Sequence, residues 1–262
     1  MMNTYKNYWT ERYRTNAHDW PGIIKLPLFD PEGRWTYGGP AKITDEIGHA
    51  MVLTMGEAPR DLVQAKIKRA KQVVEAVDRL DLLNTDKRHI GSEHSRIDYL
   101  RGKLMIGLME GCTPLADQWS EIALLKLKLF EVLKGEGTSA PYEKLHAMLY
   151  LLLAREYAEA KLLVERTRSA KGYELEFSAL KALTAELAAH GAPLQNPEVR
   201  AQVLDYFDQM RNPQPDRVPG KPYTEFNKST LDKFEWALLI GEVIEPGDGR
   251  LDAWRALELV SR

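Results

Sequence analysis

Residues 59–83 read PRDLVQAKIKRAKQVVEAVDRLDLL and place Leu62, Val63, Ile67, Ala70, Val73, Val74, Val77 and Leu80 three or four positions apart. That period puts the apolar side chains on one stripe of an α-helix and leaves most of the charged ones on the rest. Pro59 suits the start, because the first helical amides have no acceptor inside the helix and proline lacks one. The same pattern recurs in both directions. Thr44 to Gly56 reads as a helix before it. After the polar break Asn84-Thr85-Asp86-Lys87-Arg88, Ser92 caps a helix to Gly111 that carries Ile97, Leu100, Leu104, Met105 and Leu108. Thr113-Pro114 opens another, to Gly135, with Leu115, Trp119, Ile122, Leu125, Leu129 and Val132. Two pairs follow: Pro141–Ala154 with Glu156–Arg168, and Tyr173–His190 with Pro197–Met210, the second pair parted by Gly191-Ala192-Pro193 and opened by Asn196-Pro197. Ser229 with Asp232 resembles a capping box ahead of Leu238, Leu239 and Val243. Leu251 to Val260 reads as a last helix, and Trp236 and Trp254 are expected to anchor this final pair. The predicted fold is mainly α: stacked antiparallel helices with a small aromatic-rich N-terminal segment that has room for a β element.

That N-terminal segment stands apart. Residues 1–40 hold eight of the 23 aromatic side chains, broken repeatedly by proline and glycine. Asp30-Pro31-Glu32-Gly33 is a good turn sequence. The expected organisation is a cap over residues 1–40, a helical body over 41–211, a proline-rich linker over 212–224 and a C-terminal helical pair over 225–262, packed on the body as one domain.

The segment LYLLLAREYAEAKLLVE, residues 149–165, resembles one tetratricopeptide-type helical hairpin. Ala147, Tyr150, Tyr157 and Ala160 stand where such a unit places its small and aromatic packing residues. No second copy follows at the period of about 34 residues that an array requires, so the resemblance speaks for stacked hairpins and not for a ligand.

Composition narrows the class. The chain has 262 residues, 44% hydrophobic and 28% charged, with a net charge of −2. That balance belongs to a globular protein and argues against a nucleic-acid partner, which would call for a basic excess. A single cysteine, Cys112, excludes an internal disulfide and fits a reducing compartment. No signal-peptide core follows Met1, and the longest apolar run, residues 147–154, is too short to span a bilayer. A cytoplasmic protein with no membrane partner is the expectation.

Reaction chemistry is sparse. His89, Glu93, His94 and Asp98 lie within ten residues, and two imidazoles with carboxylates hold zinc or iron in other proteins. The spacing departs from the metalloprotease helix, and a solvated helix start explains the acids as well. No phosphate loop, dinucleotide fingerprint or nucleophile elbow is present. We therefore expect no catalytic residue, no metal site and no cofactor. A metal-dependent enzyme using the His89/Glu93/His94/Asp98 cluster and a general helical-repeat scaffold are the alternatives.

The overall plan is similar to that of bacterial immunity proteins, which bind and neutralise a cognate toxin delivered between competing cells. The likeness lies in size, in the opening Tyr8-Trp9-Thr10-Glu11-Arg12-Tyr13, in the helical body and in the acidic end. It implies a non-enzymatic protein that binds its toxin stoichiometrically, and it carries no site residue across. From the residues themselves, 225–258 hold eight acids against four basic groups. That stretch and the proline-rich arm before it suit a basic toxin such as a nuclease. Tyr223, Phe226, Glu235 and Glu242 are the expected partner-binding anchors.

Overall fold

The computed structural model describes residues 29, 31, 32, 59–85, 93–109, 116–132, 140–168, 172–211 and 230–244. Among them are nine helices and no strand, so the mainly α expectation holds. The helices expected over 44–56 and 251–260, the 212–223 arm, Trp254 and all the N-terminal aromatics but Phe29 lie outside the described residues. Pro31 and Glu32 do form a turn.

The chain divides into two compact units: Met1–Pro114 with Arg255–Arg262, and Leu115–Trp254. The division falls inside the span read as a single helical body.

In the first unit, α1 (Arg60–Arg79) packs on α3 (Glu93–Met109), with the single turn α2 (Leu82–Thr85) after Asp81. Val63, Ile67, Ala70, Val73, Val74 and Val77 are buried, as the stripe predicts, whereas Leu80 at its end is exposed. Lys66 and Arg69 share the buried face, which residue type alone assigned to solvent. The Tyr99 hydroxyl donates to Asp78, and Lys103 Nζ donates to that hydroxyl at 3.1 Å. Burial and Asp78 push the Tyr99 phenol above its ordinary range, against the pull of Lys103.

The second unit holds α4 (Ala116–Val132), α5 (Ala140–Leu153), α6 (Tyr157–Glu165), α7 (Glu174–His190), α8 (Pro197–Arg211) and α9 (Thr230–Val243). Its centre is α5, which packs on α4, α6, α7 and α9. Ala147, Met148, Leu149, Tyr150 and Leu152 are wholly buried. A helix that is apolar all round belongs inside; the run too short for a membrane is the core of this unit. No helix among the described residues is long and apolar enough to cross a membrane.

The pairings fix the directions. Trp119 stacks on Tyr150 at 5.8 Å, Lys126 bonds Glu143 at 2.6 Å and Lys144 lies over Phe130 at 4.9 Å, so α4 and α5 are antiparallel. Between α7 and α8, Gln202 donates to Ser178 at 2.8 Å, and Glu186 accepts from the amides of Gln195 and Asn196. Gly191 ends α7 at φ +72, a left-handed conformation that glycine adopts without a Cβ clash. Asn196 caps α8, accepting from the amides of Glu198 at 2.9 Å and Val199 at 3.4 Å.

Candidate functional site

Tyr142, His146 and Tyr150 recur every fourth residue on α5 and therefore share one face. That face meets Asp232 and Glu235, three apart on α9. The Tyr142 hydroxyl lies 3.0 Å from both Asp232 carboxylate oxygens. His146 Nε2 stands 3.6 Å from Asp232 Oδ1, and the Tyr150 hydroxyl donates to Glu235 Oε1 at 2.6 Å. The rings form a column: Tyr142 to His146 at 4.2 Å between centroids, His146 to Tyr150 at 5.9 Å and edge-on. His146 and Glu235 are 0% exposed and Asp232 is 2%. One donor atom from each of the three lies within 4.8 Å of the other two.

More buried charge surrounds this column. The Trp236 indole N–H donates to Glu176 at 3.2 Å, and Trp236 packs against Tyr206 at 5.0 Å. Among the described residues of this unit, Glu143, Glu176, Glu186, Asp232 and Glu235 are buried with Lys126, Lys233 and His146. Buried charge is expensive unless it is met: Glu143 is paired with Lys126, and Glu186 accepts two backbone amides. Chemically, the column offers an imidazole nitrogen, two carboxylates and two phenol hydroxyls: a set able to hold a proton or a cation.

A second, solvent-facing cluster sits where α5 turns into α6. Glu156 N–H bonds the Leu151 carbonyl at 2.9 Å and Arg155 N–H bonds that of Leu152 at 3.0 Å. This is a Schellman ending with Arg155, at φ +62, in the position that glycine usually fills. The Arg155 side chain is 71% exposed and lies 3.7 Å from Glu242 of α9. Burial raises the Glu242 carboxyl above its ordinary value, although Arg155 opposes it. Tyr157 is raised as well, by burial first, with Arg155 lowering and Glu242 raising it.

The expected anchors fare differently. Tyr223 and Phe226 lie outside the described residues. Glu235 sits inside the core at 0% exposure, beside Asp232 on the helix face turned to α5, where it accepts from the Tyr150 hydroxyl. Glu242 is half-exposed and engaged with Arg155. Asp232 meets the Tyr142 hydroxyl through both carboxylate oxygens, and Ser229, its partner in the expected capping box, lies outside the described residues. Trp236 is the buried anchor expected, at 0% exposure. Of the His89/Glu93/His94/Asp98 cluster, His89 lies outside the described residues, Glu93 and His94 open α3, and Asp98 faces Arg101 at 3.7 Å. An open cleft of about 450 Å³ at the α7–α8 corner is lined by Glu186, His190 and Asn196; its Glu186 carboxylate already serves the amides that begin α8.

Sequence reasoning missed His146, Asp232 and Arg155. The four-residue repeat Tyr142/His146/Tyr150 and the carboxylates three apart in an apolar helix were visible, but their meeting depends on how α5 and α9 pair. Comparison with known proteins finds no matching family profile, no similar characterised sequence and no similar solved fold.

Proposed function

We propose that this chain is a non-enzymatic protein-binding protein, an immunity protein that neutralises a cognate toxin by covering it stoichiometrically. The observation that carries the reading is Arg155. A non-glycine residue in the left-handed region costs roughly 1–2 kcal/mol relative to its ordinary conformation, and such positions cluster where function demands them. Here an exposed guanidinium is held at a helix turn beside Tyr157 and Glu242. Arginine and tyrosine are the side chains that most often dominate protein interfaces. Within the protein-binding class, the aromatic opening of residues 8–13 and the acidic stretch 225–258 favour an immunity protein over a general scaffold.

The test is co-expression with a toxin reading frame adjoining the gene in its host. Survival that depends on this chain, with a 1:1 complex by gel filtration, is the expected result. Arg155→Gly relaxes the turn, so it leaves the fold as stable or up to about 1 kcal/mol more so. It is expected to weaken the complex at least about tenfold, the loss of a moderate interface anchor. Equal death with and without the chain, together with no complex, removes the immunity reading; unchanged affinity in Arg155→Gly removes this turn from the interface.

A further inference from the structure

We propose that His146, Asp232 and Glu235 hold one divalent cation of the zinc class, which ties α9 to the central helix α5. The inference concerns the interior of the Leu115–Trp254 unit and stands apart from the binding role of the surface turn. Two observations carry it. The first is spacing. His146 Nε2 and Asp232 Oδ1 are 3.6 Å apart, beyond the roughly 2.7–3.2 Å of a direct N–H···O bond. Two atoms that each bind a tetrahedral ion at about 2.0–2.2 Å sit roughly 3.3–3.6 Å from one another. The distance matches two ligands sharing an ion. Glu235 contributes a third donor within 4.8 Å of the others, so a side-chain adjustment of about an ångström closes the set.

The second observation is the surrounding shell. The Tyr150 hydroxyl donates to Glu235, and the Tyr142 hydroxyl sits against Asp232. Hydroxyls that fix ligating carboxylates are the usual outer support of a metal centre. Ligand type then selects the metal. An imidazole nitrogen with two carboxylates suits zinc-like ions, whereas magnesium and calcium want more oxygens and several waters than so enclosed a place provides. The site lacks exposure, so the ion's role is structural.

The experiment uses the full chain. Protein stripped with a chelator and desalted is titrated with ZnCl2, followed by thermal melting, by elemental analysis after gel filtration and, with CoCl2, by visible absorption. One zinc per chain and a thermal midpoint several degrees higher with stoichiometric zinc are expected. His146→Gln and the isosteric Glu235→Gln lose the ion, and Tyr150→Phe lowers the affinity about 10–100-fold by freeing Glu235. The His89→Ala/His94→Ala double variant keeps it. No retained zinc and no change in melting of the wild-type chain overturns the proposal. So does an ion that survives Glu235→Gln and leaves with His89 and His94.

Discussion

Lys126 and Glu143 illustrate what a buried charge does to a helix stack. Their Nζ–Oε2 distance is 2.6 Å and their side chains are 4% and 3% exposed. Lys126→Ala leaves a carboxylate uncompensated between α4 and α5 and should destabilise the chain by about 3–5 kcal/mol. The apolar double replacement Lys126→Met/Glu143→Leu should be near neutral or stabilising; urea unfolding of the three proteins decides between the two outcomes. Glu242 works in the opposite sense, at the surface. Its folded carboxyl titrates above its unfolded value because burial outweighs Arg155. Its contribution to stability is therefore complete below the unfolded carboxyl range, about pH 4.3, and is lost as pH rises through the folded value. Glu242→Gln should melt higher than wild type at neutral pH, with the gap closing in acid. A variant that melts lower at pH 7 would show that the Arg155 pair outweighs the burial. With 40% of the Glu242 side chain in solvent, the effect is small.

Helix ends test how far local sequence commits the chain. Asn196 accepts two amides at the start of α8, so Asn196→Ala should cost about 0.5–2 kcal/mol in a denaturant titration. The Asn196-Pro197 pair announced that start, as Gly191 announced the end of α7, because capping and the left-handed turn are decided within a few residues. Helix periods were legible for the same reason: Val63 to Val77 and Ile97 to Met105 face inward as their spacing requires. Polar residues on those stripes were not legible. Lys66 lies wholly buried among the valines of α1, and a lysine in a helix looks the same in sequence whether it snorkels or faces water. The site failed at the next level up. Asp232 reads locally as part of a capping pattern, and nothing near it in sequence announces that Tyr142, 90 residues away, meets its carboxylate. The order of pairs along the two helices, Tyr142 to Asp232, Tyr150 to Glu235 and Arg155 to Glu242, runs the same way on both. That parallel register is a property of the packed pair and has no local signature.

At the scale of the whole chain, charge is segregated: residues 60–110 carry eleven basic and eight acidic groups, and 225–258 carry eight acids against four basic groups. Burial changes what a partner can feel. Asp232, Glu235 and Lys233 of the acidic stretch are inside the core, so the carboxylates left to act outward are fewer than the sequence suggests, and Glu242 is the one described among them. Long-range steering and close-range anchoring then separate by rate. On the proposed reading, steering by acidic groups toward a basic toxin would govern encounter, and it would weaken as the screening length falls from about 10 Å at 0.1 M salt to about 3 Å at 1 M. On the same reading, Arg155 as an anchor would govern how long the complex lasts. Surface-bound association measurements across that salt range should therefore show the on-rate falling at least about tenfold with little change in off-rate, whereas Arg155→Gly at fixed salt should raise the off-rate and leave the on-rate nearly unchanged. An on-rate indifferent to salt would exclude a basic partner recognised through the acidic stretch, and it would place the interface on apolar contacts such as Leu162 and Leu175, which stand 51% and 46% exposed on the neighbouring helices α6 and α7.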